Sequence, residues 1–162
     1  MVSFISDIRG KADFLGVLVA TNNFSEFEFY SPHTNDKGKG LYTYFSDYGD
    51  CVYFMFVGDH LMKIGKAAGG KGWMTRVAQY KRGLAGDNTN KLILENLKED
   101  NKRVIEVLAI PTPKKHADIE CHITGVRETL ELETAETFEK LYTQRYLSES
   151  DTNELPFCRQ LK

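Results

Sequence analysis

Apolar and polar positions are distributed differently in the first third of the chain and in the rest of it. Apolar residues at positions 8, 14, 15 and 18 predict a helix over about residues 6–20, which Ser6 would cap. The aromatic run Phe27–Tyr30 predicts a strand, and the polar stretch Asn35–Gly40 predicts a loop. The aromatic cluster at Tyr42–Tyr48 indicates core packing, with stacking on nucleic-acid bases as the alternative.

Beyond residue 50 the pattern becomes regular. The apolar run Cys51–Val57, a turn at Gly58–His60 and the return strand Leu61–Gly65 predict an antiparallel hairpin. Further periodicities predict helices at Trp73–Arg82 and at about 88–100. A third strand is predicted at Val104–Ile110, and a terminal helix at about 129–146. This order predicts an α+β fold, in which a small three-stranded, mostly antiparallel sheet is flanked by helices. We therefore expect a core over residues 50–162, with an N-terminal helix and strand extension over residues 1–49 packed on it.

Composition and charge restrict the classes of function. Hydrophobic residues make up 41% of the 162 residues and charged residues 27%, which excludes intrinsic disorder. The formal net charge is −2, so the chain as a whole is not a basic coat for nucleic acid. Residues 51–115 nevertheless hold 12 basic and 6 acidic side chains, whereas both flanking regions are acidic. This basic middle region predicts a local site for an anionic ligand.

Apolar runs and cysteine usage indicate the compartment. The longest apolar run, Phe14–Ala20, is too short to cross a bilayer, and it lacks the positive start of a signal peptide. Cys51, Cys121 and Cys158 are an odd number of thiols at unrelated spacings, which favours reduced cysteines over a disulfide framework. We therefore expect a cytoplasmic protein without membrane contacts.

The predicted hairpin carries the first candidate for chemistry. Tyr53 and Lys63 lie on its two arms, and residues near paired positions can project side by side from one face. An ammonium group beside a phenol stabilises the phenolate and so lowers the pKa of the tyrosine. Such a tyrosine can act as a general base on water or orient it. The alternative is a packed sheet aromatic and a solvated lysine at the sheet edge.

A cluster of basic residues follows the hairpin. Arg76 and Tyr80 lie one turn apart on the predicted helix, directly after a glycine-rich loop. A guanidinium can bind two phosphate oxygens, and a tyrosine hydroxyl can add a third hydrogen bond. Further positive charge comes from Lys66, Lys71, Lys81 and Arg82. The segment predicts a surface that faces phosphates, although a solvated helix face would have the same pattern.

These residues resemble the motifs of the GIY-YIG nuclease superfamily. The two motifs that name it are represented by Cys51-Val52-Tyr53 and Lys63-Ile64-Gly65. Cysteine and valine replace the glycine and isoleucine of the first motif, and Lys63 replaces the first tyrosine of the second. Lysine at that place, and an arginine followed by a tyrosine in Thr75–Tyr80, are most similar to the small type II restriction endonucleases of the superfamily. The resemblance covers roughly residues 50–160.

The resemblance implies metal-dependent hydrolysis of phosphodiester bonds in double-stranded DNA at a specific sequence. Tyr53, assisted by Lys63, would be the general base, and Arg76 and Tyr80 would hold the scissile phosphate. A glutamate on a late helix would bind Mg²⁺ or Mn²⁺. Ala135-Glu136 resembles the metal-ligand stretch of the restriction enzymes, and Glu120 is the rival.

The resemblance also has implications for DNA contacts and assembly. Contacts with DNA would come from Lys66, Lys71, Lys81 and Arg82, and no organic cofactor is implied. Because one chain carries one nuclease centre, cutting both strands implies a homodimer, to which residues 1–49 could contribute dimer or DNA contacts. Two alternatives stay open. One is another nuclease of the superfamily, from a phage, a mobile element or a repair system, and the other is a non-catalytic DNA-binding module of the same fold.

Overall fold

A computed structural model describes residues 3–33, 40–69, 71–150 and 155–157 of the chain. Helices and strands alternate irregularly in an α+β arrangement. The helices are α1 (Phe4–Lys11), α2 (Leu41–Tyr48), α3 (Trp73–Lys81), α4 (Asn88–Glu99) and α5 (Ala135–Glu149). The strands are β1 (Asp13–Ala20), β2 (Phe27–Tyr30), β3 (Cys51–Val57), β4 (His60–Ala67), β5 (Val104–Pro111), β6 (Lys115–Glu120) and β7 (Arg127–Leu132).

The main sheet has five strands in the order β2-β1-β5-β3-β4, and every pair is antiparallel. The expectation of three strands is therefore wrong, because β1 pairs with the free side of β5 and β2 pairs with β1. The strands that precede residue 50 thus belong to the same sheet as the predicted hairpin. Strand β4 forms one edge of this sheet, next to the completely buried β3.

Helices cover both faces of the sheet. Alternate residues of a strand point to opposite faces, so Tyr53 and Met55 of β3 face one apolar cluster and Phe54 and Phe56 face another. The first cluster includes side chains of α2, α3 and α4, such as the fully buried Trp73. The second includes side chains of α1 and α5. A helix on each side therefore reaches the free edge of β4.

The helix predicted over residues 6–20 is wrong for most of its length. Helix α1 ends at Lys11, its cap is Ser3, which accepts a hydrogen bond from the backbone of Ser6, and residues 13–20 form β1. The continuous apolar run in that segment is buried between β2 and β5, which is the pattern of an internal strand.

The terminal helix is shorter than predicted at its beginning. Residues 127–132 form β7, which pairs with β6 in a separate two-stranded hairpin, and α5 begins at Ala135. The predicted hairpin Cys51–Gly65, the helix from Trp73 and the strand from Val104 are confirmed, with β4 extending to Ala67. Of the predicted loop Asn35–Gly40 only Gly40 lies within the described residues, and Cys158 lies outside them. Each helix that the structure describes is too short or too polar to traverse a bilayer.

Candidate functional site

A cleft of about 260 Å³ opens along the free edge of β4. Tyr53 of β3 forms its floor, and Lys63 and Lys66 come from β4 itself. Helix α3 supplies one wall and α5 the opposite wall. The polar lining residues are Tyr53, Lys63, Lys66, Arg76, Gln79, Tyr80, Asp87, Thr89, Asn90, Glu136 and Glu139. The cleft thus brings together all five predicted catalytic residues, which belong to four different elements.

Tyr53 reaches the cleft because Gly65 lies opposite it on β4. The two residues are partners in the strand register, and a Cβ atom at Gly65 would overlap the ring and hydroxyl of Tyr53. The phenol ring therefore crosses the backbone of β4, supported by the ring of Trp73 at 4.9 Å between centroids. Only 2% of Tyr53 is exposed, and its hydroxyl forms a 2.7 Å hydrogen bond with the hydroxyl of Tyr80.

The acidity of Tyr53 differs from the expectation. Burial raises the pKa of Tyr53 to about 12, and this effect outweighs the hydrogen bond with Tyr80 and the charge of Arg76, which both lower it. The lowered pKa expected from Lys63 is therefore wrong in direction. Lys63 is paired with Met55, two residues along the strand from Tyr53, so it lies diagonally across the hairpin and not opposite the phenol.

Arg76 is fixed in the α3 wall by two hydrogen bonds. Its Nε atom donates to the backbone oxygen of Lys66 at 2.8 Å, and its Nη1 atom donates to Oε1 of Gln79 at 2.9 Å. The first bond ties α3 to the edge strand, and the second ties the guanidinium to the next turn of its own helix. A positive charge is thereby held at the cleft surface in a single orientation.

Two carboxylates occupy the α5 wall. Glu136 lies in the first turn of α5, with Nζ of Lys66 and Nζ of Lys140 each 3.6 Å from one of its carboxylate oxygens. Glu139 follows one turn later and is half-buried in the cleft. Burial raises the pKa of the Glu139 carboxyl, and the nearby Lys66 opposes this most strongly. The rival Glu120 is exposed on β6 and does not line the cleft.

The predicted DNA-binding residues separate into two groups. Lys66 lines the cleft, whereas Lys71, Lys81 and Arg82 are exposed outside its lining. Lys81 and Arg82 follow Tyr80 at the end of α3, and Nζ of Lys71 lies 5.9 Å from the ring centre of Tyr42. The exposed cations therefore extend a positive surface from the α3 side of the cleft.

Sequence reasoning missed several residues of the cleft. Gln79 could have been found from its spacing of three residues after Arg76, since such pairs are neighbours on a helix. Asn90 is 3% exposed, and its Nδ2 atom donates to the backbone oxygen of Gln79 at 2.8 Å. Asp87 caps α4 by accepting a hydrogen bond from the backbone of Asn90. Glu139 resembles the other acidic residues of its helix in sequence, so no local signal distinguishes it.

Comparison with known proteins finds similarity in structure but not in sequence. No protein-family model matches the chain, and no curated protein sequence matches it. The structure of restriction endonuclease HPY188I in complex with product DNA superposes with a TM-score of 0.50 and 17% identity, over 95% of this chain and 83% of that chain. A mutant of bacteriophage T4 EndoII superposes with a TM-score of 0.55 and 17% identity, over 87% of this chain and 93% of that chain. The chain therefore shares the fold of these proteins.

Proposed function

We propose that this protein is a metal-dependent endonuclease of the GIY-YIG type that hydrolyses phosphodiester bonds in double-stranded DNA at a specific sequence, as a type II restriction enzyme does. The observation that supports this most strongly is the meeting of Tyr53, Lys63, Arg76, Tyr80 and Glu136 around one cleft. The shared fold agrees with it, since one structure with that fold is a restriction endonuclease in complex with product DNA.

In this mechanism the attacking water binds to the phenolic oxygen of Tyr53. Either hydroxyl can donate the hydrogen bond between Tyr53 and Tyr80, and while the phenol of Tyr53 is protonated and donates it, its oxygen keeps a lone pair that can accept a hydrogen bond from the water. Because the pKa of Tyr53 is about 12, the phenol is protonated at neutral pH and orients the water in that state. Acting as a general base requires the loss of this proton, which a higher pH favours. Lys63, at the same edge, would supply positive charge near the phenol.

Arg76 and Tyr80 would bind the scissile phosphate. If Tyr80 accepts the hydrogen bond from Tyr53, its own O–H is available to donate to a phosphate oxygen. The guanidinium of Arg76 is already oriented by the oxygens of Lys66 and Gln79. Its charge would offset the negative charge that grows on the phosphate oxygens in the transition state.

Glu136 is the residue that would hold Mg²⁺ or Mn²⁺. The described residues contain no cluster of three or more metal-ligating side chains, so a divalent ion at Glu136 would depend on water and on substrate phosphate for its other ligands. This donor set fits Mg²⁺, which usually keeps several waters and takes only one or two carboxylates. Once bound, the ion would neutralise charge on the leaving 3′-oxygen. Lys66 would then release Glu136 and become available to a DNA phosphate.

A second candidate differs in biological setting and not in chemistry. The fold is also that of bacteriophage T4 EndoII, with a TM-score of 0.55, which favours a phage-type nuclease as the alternative to a restriction enzyme.

A homodimer is part of the main proposal, because each chain contributes one cleft and two strands are to be cut.

Incubation of the purified protein with supercoiled plasmid and with a bacterial genomic DNA tests the proposed function. Parallel reactions contain Mg²⁺, Mn²⁺ or a chelator. A restriction-like enzyme should give discrete fragments with either metal and none with the chelator. Nicks or a smear would support the phage-type alternative, and intact DNA under all metal conditions would contradict both and favour a non-catalytic module.

A further inference from the structure

The hairpin of β6 and β7 has one apolar face. Its register pairs Ala117 with Leu130 and Ile119 with Glu128, and the ladder continues where the backbone N–H of Cys121 donates to the oxygen of Val126. Alternate residues of each strand point to opposite faces. One face therefore carries the apolar side chains of Ala117, Ile119, Cys121, Val126, Leu130 and Leu132, and we call it the apolar hairpin face.

This face is uncovered within the described part of the chain. Every residue of β7 is exposed, and on β6 only Ala117 is partly buried. Ile119 is 43% exposed and Leu130 45% exposed. A two-stranded hairpin with both faces in water is marginally stable at best, and neighbouring exposed apolar side chains are typical of an interaction site.

The opposite face of the hairpin is polar and largely satisfied within the chain. The hydroxyl of Thr129 donates to Oδ1 of Asp118 at 2.6 Å, and Glu131 pairs with Lys114 at 3.1 Å. This face carries the carboxylates of Asp118, Glu120 and Glu131 against the single guanidinium of Arg127. Because the acidic side chains would repel a DNA backbone, a protein surface is the more favourable ligand for the hairpin.

The charges on the apolar hairpin face are complementary to a second copy of itself. Lys115 lies at the base of this face and Glu128 lies toward its tip. Among the described residues, neither side chain has an ion-pair partner. If two hairpins pack face to face and antiparallel about a two-fold axis, the base of each lies against the tip of the other. In this arrangement β6 faces the β6 strand of the second copy, so Lys115 lies diagonally across from the partner's Glu128, with the apolar side chains between the two charge pairs.

We propose that the apolar hairpin face is the dimer interface of this protein and that its occupant is the same face of a second copy. This face would be the interface of the homodimer proposed above, and its role in cutting both DNA strands rests on that proposed function. Burial of the apolar side chains supplies the attraction, and the two symmetric Lys115–Glu128 pairs set the antiparallel direction.

Sedimentation velocity of the full chain over a range of concentrations, without DNA or metal, tests this interface. The wild-type protein should dimerise, and Leu130→Lys should raise the dissociation constant by about tenfold or more, because it inserts a charge into the apolar centre. Thr129→Lys is the matched control, since it places the same charge one residue away on the polar face, beside Asp118. Lys115→Glu and Glu128→Lys should each weaken the dimer, and combining them should restore it.

Three results would each overturn the proposed interface, provided that circular dichroism shows every variant to be folded. They are a wild-type monomer at every concentration, an equal effect of Leu130→Lys and Thr129→Lys, and a double charge reversal that does not recover association. Association is measured without DNA and cleavage is measured separately, so the two failures can be told apart. A protein that cleaves as a monomer refutes the interface and the proposed homodimer but not the nuclease activity. A protein that dimerises through the hairpin but does not cleave refutes only the nuclease activity.

Discussion

Arg76 enters the cleft with its guanidinium already held by the backbone oxygen of Lys66 and by the side chain of Gln79. A charge fixed in this way needs little reorganisation when negative charge develops on a bound phosphate. The exposed Arg82, six residues later, carries the same charge but lies outside the cleft lining. The two arginines therefore allow a contribution to catalysis to be separated from a contribution to binding.

Arg76→Ala should lower the single-turnover cleavage rate constant by about 10²–10³-fold, equivalent to roughly 3–4 kcal/mol, because it removes a preorganised donor to the transition state. Arg82→Ala should weaken DNA binding while leaving the rate constant of bound DNA nearly unchanged. Quench-flow cleavage with saturating protein measures the first quantity, and fluorescence anisotropy measures the second. Equal losses of rate in the two variants would contradict the assigned role of Arg76.

The acidity of Tyr53 leads to a prediction about pH. With a pKa of about 12, the phenolate fraction rises tenfold for each pH unit in the range below that value. The single-turnover rate should therefore keep increasing from about pH 7 to about pH 10 if the phenolate is the base. Tyr53→Phe should abolish the part of this increase that depends on the phenol. A pH profile that is identical in both proteins would rule out Tyr53 as the base.

At the residue scale, the sequence predicted which side chains line the cleft better than it predicted how deeply they are buried. Tyr53, Arg76 and Glu136 stand out because their chemistry and order match a known pattern, and they line one cleft. The direction of the Tyr53 pKa shift was not predictable, because burial depends on how Trp73 and Tyr80 pack around the ring. Glu139 was missed for the same reason, since half-burial is a property of the assembled cleft and not of its helix.

At the scale of elements, β4 determines the geometry of the cleft. It is an edge strand, so α3 and α5 can both place side chains beside it. Gly65 is the position where the ring of Tyr53 crosses this strand, and its missing side chain is what lets the hydroxyl reach the cleft. A single methyl group there would push the ring away from Tyr80.

Gly65→Ala should destabilise the protein by about 1–3 kcal/mol through overpacking and should reduce cleavage more than stability alone explains, because it displaces Tyr53. Gly10→Ala is the control, since nothing lies within 4 Å of a Cβ atom at that position in α1. Denaturant unfolding measures the free energy of unfolding, and cleavage is measured well below the transition. Wild-type cleavage by a folded Gly65→Ala protein would contradict the assigned geometry.

Prediction of elements failed for β1, whose pairing partner is distant in the chain, and for β7, whose residue types favour a helix. The apolar run from Phe14 fits a buried helix or a buried strand, and only the presence of β5 about 90 residues later decides for the strand. Residues 127–132 contain good helix formers, but their alternation of polar and apolar side chains matches β6, with which they pair. The hairpin of β3 and β4 was predicted because its partners are adjacent in sequence and joined by a recognisable turn.

At the scale of the whole molecule, basic and acidic side chains are concentrated on different elements of the fold. The basic middle region spans β3, β4, α3, α4 and β5, and it includes the floor and one wall of the cleft. Much of the acidic charge near the C-terminus lies on the β6–β7 hairpin and on α5. DNA approaching the cleft would therefore meet the α3 side first.

The division into an extension over 1–49 and a nuclease core over 50–162 stays a prediction, as do the metal and the specific roles of the cleft residues.

The central claim is that DNA is hydrolysed in the cleft at the edge of β4. Its most direct test is single-turnover cleavage of DNA by Tyr53→Phe and Glu136→Gln, beside the controls Tyr42→Phe and Glu120→Gln, with DNA affinity measured for each. Both controls alter exposed residues outside the cleft. Loss of cleavage with retained DNA binding in the two cleft variants, and near wild-type cleavage in the two controls, is the predicted result. Wild-type cleavage by either cleft variant, or loss of cleavage with Glu120→Gln alone, would contradict the claim.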